Sequence, residues 1–195
     1  VIRFCDVFFS LLGLIVLSPI FVIIALCIVL DSRGGVFYRQ VRVGRDGKDF
    51  RLFKFRSMAS GADKKGLITV GAKDSRVTRV GYFLRKYKLD ELPQLLNVVR
   101  GEMSLVGPRP EVRKYVDMYT VEQRKVLAVA PGITDYASIE YADENTILGQ
   151  ARDPDRAYVE QIMPDKIRYN MKYIDNRCLK EYFKIIFLTL MKIVK

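Results

Sequence analysis

Between Val7 and Leu30 the chain carries no charged side chain; after it, short apolar runs alternate with charge to the end. A helix over Val7–Leu30 would be about 36 Å long, and a hydrocarbon core is about 30 Å thick. Ser18-Pro19 divides that run. An interior proline removes a backbone hydrogen bond and breaks or kinks a helix. The arms Val7–Leu17 and Pro19–Leu30 would each be about 16–18 Å long, roughly half the membrane core. The pattern therefore fits a kinked spanning helix or a re-entrant one that turns back at Ser18-Pro19. Arg3 precedes the run and Arg33, Arg39, Arg42 and Arg45 follow it. Cations on both flanks prefer one cytoplasmic side, which tilts the balance toward the re-entrant form. No small-residue cleavage site follows, so a cleaved signal peptide is not expected.

Past a turn at Asp31-Ser32-Arg33-Gly34-Gly35, two strand-like stretches, Val36–Val43 and Phe50–Met58, flank Gly44-Arg45-Asp46-Gly47, a hairpin signal. In the second strand Lys54 and Arg56 are two apart and share a face. Such a pair can hold phosphate oxygens, though the commonest reason for it is one wet face of a sheet. Ser60–Ser75, rich in Gly, Lys and Asp, reads as a mobile loop. Arg76–Tyr87 places Val77, Val80, Leu84 and Tyr87 at helical spacing among five cations, a basic amphipathic pattern. Glu111–Val129, Pro154–Met163, Asp165–Ile174 and Leu179–Val194 are further helix candidates; the last suits an interfacial or core-packing helix. Met103-Ser104-Leu105-Val106-Gly107-Pro108-Arg109-Pro110 and Ala130-Pro131-Gly132-Ile133-Thr134 read as turns. The prolines on either side of Arg109 would aim its guanidinium with little entropy left to lose.

The chemistry concentrates at Lys88-Leu89-Asp90-Glu91-Leu92-Pro93-Gln94. Pro93 fits the first turn of a helix, which would make Asp90 its N-cap and Glu91 a first-turn residue, both favoured as anions by the helix dipole. Two adjacent carboxylates after a run of cations are what attack on phosphorus needs: a nucleophile, and positive charge to hold the oxygens. On this heptapeptide alone a plain capped helix start is the commoner explanation.

Composition narrows the chemistry. The 195 residues fit one domain with a sizeable core. A formal charge of +11 favours an anionic partner: nucleic acid, an acidic membrane surface or a phosphorylated substrate. There is no histidine, which removes Ser-His-Asp, Cys-His and HExxH schemes. Cys5, Cys27 and Cys178 form no CxxC pair and read as reduced structural residues. No GxGxxG or Walker A pattern occurs, so a Rossmann or P-loop nucleotide site is unsupported.

Five motifs then stand in order and in register: the run broken at Ser18-Pro19, Lys54-Phe55-Arg56-Ser57-Met58, Leu89-Asp90-Glu91-Leu92-Pro93-Gln94-Leu95-Leu96-Asn97-Val98, Gly101–Pro110, and Pro131-Gly132-Ile133-Thr134. In these the chain resembles the bacterial monotopic phosphoglycosyl transferases, or undecaprenyl-phosphate sugar phosphotransferases, closely over about residues 1–135 and loosely beyond. The resemblance implies transfer of a phospho-sugar from a UDP-sugar to undecaprenyl phosphate, with release of UMP, on the cytoplasmic face of the bacterial inner membrane. It implies that Asp90 is the nucleophile forming an aspartyl phospho-sugar intermediate and that Glu91 binds Mg²⁺. Lys54, Arg56 and Arg109 are the candidate phosphate contacts.

The expected fold is α/β and helix-rich with a small β-hairpin or sheet. Residues 1–33 would form a re-entrant membrane helix broken at Ser18 and Pro19. Residues 34–195 would form the catalytic domain, with amphipathic interfacial helices. Expected partners are UDP-sugar, undecaprenyl phosphate and membrane lipids, not nucleic acid; homo-oligomerisation stays open. Two departures from the family pattern leave the sugar undetermined: Asp135-Tyr136-Ala137-Ser138-Ile139-Glu140 stands where a Gly and a Gln-Val pair are common, and Asn170 where an Asp is frequent. The chain lacks an initial methionine, and a trimmed protein or the catalytic domain of a longer enzyme is expected. The rival readings are a membrane-tethered basic module that binds nucleic acid, which predicts salt-sensitive binding, and a structural membrane protein that recruits a partner.

Overall fold

The computed structural model describes residues 1–62 and 74–194. It begins with helices α1 (Ile2–Val16) and α2 (Ser18–Asp31), bent by 61° across Leu17. The cause of the break is local. Pro19 has no N–H to give to the carbonyl of Ile15, and the Ser18 hydroxyl donates to that carbonyl instead, at 2.8 Å. Among the described residues no single helix is long and apolar enough to cross a membrane, whereas this bent pair passes the same length and composition test when taken together. The first arm begins earlier than the apolar run, so α1 carries Arg3 and Asp6.

Those two residues tie the broken helix to the rest. Arg3 donates to the carbonyls of Val98 (2.7 Å) and Val99 (3.1 Å), near the C-terminus of α4 (Gln94–Arg100), where the helix dipole welcomes a cation. Buried Asp6 accepts from the Ser104 hydroxyl, the Leu105 N–H and the Tyr182 hydroxyl, each at 2.9 Å. Three donors are enough to satisfy a carboxylate taken out of water.

The hairpin is present. Strands β1 (Phe37–Val43) and β2 (Asp49–Phe55) pair antiparallel, Phe37 opposite Phe55 and Val43 opposite Asp49, around a 3₁₀ turn at Arg45–Gly47. The second strand stops at Phe55 rather than Met58, which forms an isolated bridge to Val77. Most of the loop expected at Ser60–Ser75 lies outside the described residues. The basic amphipathic stretch winds as α3 over Arg79–Lys86 only, because the Thr78 hydroxyl accepts from the Gly81 N–H (2.9 Å) and starts the helix there. A Cβ on Gly81 would stand 1.9 Å from the Ser57 carbonyl oxygen, so only glycine lets α3 lie against the end of the hairpin.

The two proline-flanked stretches are more than turns: β3 (Ser104–Val106) and β4 (Gly132–Thr134) pair parallel. A helix across Glu111–Val129 does not form. The segment makes α5 (Arg113–Val116) and a 3₁₀ helix (Gln123–Ala128). Thr120 and Gln123 cap each other between them, the Thr120 N–H giving to Gln123 Oε1 (2.9 Å) and the Gln123 N–H to Thr120 Oγ1 (3.2 Å). Then come α6 (Tyr136–Glu140), α7 (Glu144–Gln150) and α8 (Pro154–Ala157). The last runs through a π turn (Tyr158–Ile162) into α9 (Met163–Asp175), so two predicted helices are one continuous helical stretch. Helix α10 spans Leu179–Val194 as expected. The fold is thus helix-rich with two small sheets.

Candidate active site

Asp90 and Glu91 sit in a 3₁₀ turn, Leu89–Glu91, one turn before α4. Pro93 takes the N-cap position of α4, so Asp90 is not its N-cap and makes no capping hydrogen bond. Lys88 introduces the turn at φ +57°, a left-handed backbone that a lysine adopts only at a cost of about 1–2 kcal/mol. Behind the turn, fully buried Asn97 locks α4 to β2. Its Oδ1 accepts from the Phe53 N–H (2.9 Å), and its Nδ2 donates to the Arg51 carbonyl (2.8 Å) and to Glu102 (2.7 Å).

The two carboxylates meet different surroundings. Glu91 is paired on both oxygens: Lys54 Nζ reaches Oε1 at 3.0 Å, and the Arg109 guanidinium grips both Oε1 and Oε2. Burial pushes this carboxyl up, but Arg109 and Lys54 outweigh it and hold Glu91 well below the usual carboxylate range. Asp90 is 7% exposed, and among the described residues no hydrogen bond or ion pair reaches its carboxylate. Burial raises its pKa; Lys54 opposes that and the Glu91 charge adds to it. Lys54 is itself lowered by burial, with Glu91 as the main opposing influence. Both carboxylates, Lys54 and Arg109 line one cavity of about 1290 Å³.

Arg109 is aimed as the flanking prolines suggest, and also by Asp135, whose Oδ2 accepts the Arg109 N–H (3.1 Å) while its Oδ1 caps α6 through the Ser138 N–H (2.6 Å). Asp135, one of the departures from the family pattern, is therefore a brace for the site. Arg56 lines the same cavity as Lys54, with its guanidinium held from the α2 side. Its Nε donates to the Gly35 carbonyl (2.6 Å), Nη1 to the Ser32 hydroxyl (2.7 Å) and Nη2 to the Ser32 carbonyl (2.8 Å). It clasps the exit of α2.

The family profile described as bacterial sugar transferase matches residues 1–195. The chain belongs to the bacterial sugar transferase family. It is 36% identical over 195 residues to a UDP-N-acetylgalactosamine-undecaprenyl-phosphate N-acetylgalactosaminephosphotransferase of Aeromonas hydrophila, covering 98% of this chain and 43% of that one. It is 40% identical over 193 residues to a UDP-glucose:undecaprenyl-phosphate glucose-1-phosphate transferase of Klebsiella pneumoniae, covering 97% and 39%. Over 148 residues it is 42% identical to an undecaprenyl-phosphate glucose phosphotransferase of Komagataeibacter xylinus, covering 70% and 27%. The chain thus spans less than half the length of these three relatives.

The chain has a second charged cluster that no motif announced. Glu111 accepts from the Tyr158 hydroxyl and lies 3.8 Å from Arg42 and 3.9 Å from Lys166; Lys166 also pairs with Glu144 at 3.0 Å. Arg42 donates to the Pro110 carbonyl (3.1 Å), so this cluster steadies the residue next to Arg109. Burial lowers the Arg42 pKa and raises the Tyr158 pKa well above its usual value. The sequence signal was faint: Arg42 sits in a strand and the others on separate elements.

For a divalent cation the donor set is lean. Among the described residues no three carboxylate or thiol side chains converge. Magnesium needs only one or two carboxylates when substrate phosphates and water complete its shell. Among the described residues Asp90 is unpartnered, and Glu91 lies next to it, both on the cavity. These residues fit an ion that arrives with a diphosphate and shares Glu91 with Lys54 and Arg109.

Proposed function

We propose that this sugar transferase moves a phospho-sugar from a UDP-sugar to undecaprenyl phosphate, releasing UMP. The observation that carries the reading is the contrast at the dyad: a buried Asp90, unpartnered among the described residues, beside a Glu91 held between two cations. Asp90 Oδ attacks the phosphorus that bears the sugar. A P–O bond forms to Asp90, the pyrophosphate P–O bond breaks, and UMP leaves with that bond's electron pair. The acceptor's phosphate oxygen then attacks the same phosphorus, expels Asp90 and gives the lipid diphosphate sugar. Lys54 and Arg109 neutralise the phosphate oxygens, Arg109 through its two-pronged fork. Glu91 would hold a Mg²⁺ ion brought in with the diphosphate, and that ion would supply further charge neutralisation. A substrate phosphate draws Lys54 and Arg109 partly off Glu91, and the cations it brings in favour the ionised Asp90.

The bent α1–α2 pair serves as a re-entrant membrane anchor over residues 1–33, with residues 34–195 as the catalytic domain on the cytoplasmic face. Support comes from the exposed apolar side chains of both arms, Phe8, Leu12, Ile23 and Leu26 among them. The relatives' names specify N-acetylgalactosamine in one case and glucose in others, so the sugar is left open.

The test uses a UDP-sugar labelled in its β-phosphate, without acceptor, followed by quenching and peptide mapping. Label on the peptide containing Asp90, lost in Asp90→Asn, is the expected result. Full turnover by Asp90→Asn would point to direct transfer in a ternary complex.

A further inference from the structure

The large cavity has a mixed lining. Its charged lining includes the dyad with Lys54 and Arg109; its apolar lining includes Leu92, Leu105, Ile133, Ile186 and Leu190, with Lys192 beside the last two on α10. Ile186 and Leu190 are four positions apart and so on one helix face. This helix is firmly seated. Thr189 and Thr134 hydroxyls hydrogen bond at 2.6 Å, Tyr182 is fully buried against Asp6, and Ile185 is fully buried. Yet next to the cavity face runs an outward stripe of large apolar side chains: Phe183, Phe187 (62% exposed) and Leu190 (57% exposed). Phe183 meets Phe9 of α1 edge to face, with ring centroids 6.0 Å apart. One apolar surface thus leads from the cavity over α10 onto the broken helix. A ligand confined to the charged lining would have no use for it, and a soluble protein face would not expose it.

We propose that this α10 surface is the seat of the acceptor's polyprenyl chain, with Ile186 and Leu190 guiding the isoprenoid nearest the phosphate from the cavity to the membrane. The assignment rests on the transfer reaction proposed above. It commits to a phosphorylated isoprenoid because the apolar wall adjoins a cluster of cations, which matches a ligand with one anionic head on a long apolar tail. Bulk phospholipid could use the outward stripe, but only the acceptor needs the wall inside the cavity. Thr189, between the two apolar residues, is engaged with Thr134, which ties this stretch of α10 to β4.

The experiment has two arms in the full chain, reconstituted in phosphatidylethanolamine–phosphatidylglycerol nanodiscs. In the first, Leu190 is replaced by a photoreactive phenylalanine analogue in the Asp90→Asn background, and radiolabelled undecaprenyl phosphate is the probe. Crosslinking that unlabelled undecaprenyl phosphate suppresses and excess phosphatidylglycerol does not is the expected result. Suppression by both alike, or no crosslink, would overturn the proposal. This arm needs no turnover, so it reports on the seat even if the reaction scheme fails. In the second arm, Leu190→Glu is expected to raise the KM for undecaprenyl phosphate at least about tenfold, a leucine's worth of lost burial, and leave the KM for UDP-sugar alone. Leu190→Phe should restore the acceptor KM. Equal changes in both KM values, or in neither, would refute the assignment.

Discussion

Replacing Glu91 with Gln keeps the side chain's shape and removes its charge. In the structure that charge serves two cations: Lys54 Nζ at 3.0 Å and the Arg109 fork. At that distance and an effective dielectric of about 20, one such pair is worth about 5–6 kcal/mol before desolvation. Much of this is offset, and deleting one partner of a buried pair costs about 3–5 kcal/mol. Lys54 limits the damage. Burial already holds its ammonium below the usual lysine value, with Glu91 the main opposing influence, so the variant's Lys54 sheds its proton more readily. The expected loss at neutral pH is therefore near the lower end, about 3 kcal/mol. Removing the stranded cation as well, in Glu91→Gln/Lys54→Met, should leave the protein more stable than the sum of the single losses by at least about 1 kcal/mol. The chain has no tryptophan, so equilibrium denaturation in detergent micelles is best followed by far-UV circular dichroism. Because the folded-state pKa of Glu91 is depressed, its contribution is present above the usual 4.5 and is lost as pH falls through the folded value. The gap between wild type and Glu91→Gln should be level above that pH and close in acid. A gap below about 1 kcal/mol, with strictly additive single variants, would refute the clamp.

Three further outcomes are expected. The Asp90 pKa is raised by burial, so its contribution to stability is full below 3.8 and is lost as pH rises through the folded value; thermal scans should show Asp90→Asn inactive yet more stable than wild type at neutral pH, with the advantage gone near pH 4. Asn97→Ala leaves the Phe53 N–H and the Arg51 carbonyl without partners, at about 1–3 kcal/mol each; chemical denaturation should show a loss of about 2–6 kcal/mol, and a loss below about 1 kcal/mol would mean that this edge of β2 is already wet. Pro19→Ala restores the N–H that Ile15 lacks and should straighten the break, which labelling of a cysteine placed near Val1 would report as a shift toward the periplasmic side; unchanged labelling would show that packing of α1 on α4, not Pro19, sets the bend.

Much of the site was readable because it is local. The Ser18-Pro19 break follows from one missing N–H, and the charge-free run on either side of it needs no partner to be recognised. The adjacency of Asp90 and Glu91, the proline frame of Arg109 and the span of α10 were likewise visible in short windows of sequence. The failure at Glu111–Val129 was partly avoidable, since Thr120-Val121-Glu122-Gln123 has the spacing of a capping box, a helix-start signal inside the supposed helix.

Tertiary structure alone decided the rest. Which carboxylate is free and which is clamped depends on Lys54 and Arg109, residues 37 and 18 positions from Glu91. Lys54 and Arg56 are two apart in the sequence, and only the fold shows that the Arg56 guanidinium is held on Ser32 and Gly35 while it lines the same cavity as Lys54. The pairing of β3 with β4 joins two stretches that each read as a turn, because three residues of strand have no meaning without a partner. It is possible at all because Gly132 has no Cβ: one placed there would lie 2.1 Å from the Gly107 nitrogen. The Glu111 cluster and the contact of Asp6 with Tyr182 bring together residues up to 176 positions apart. A one-dimensional pattern records what each residue prefers nearby; charge balance in a buried site is set by which distant side chains the fold leaves within a few ångströms.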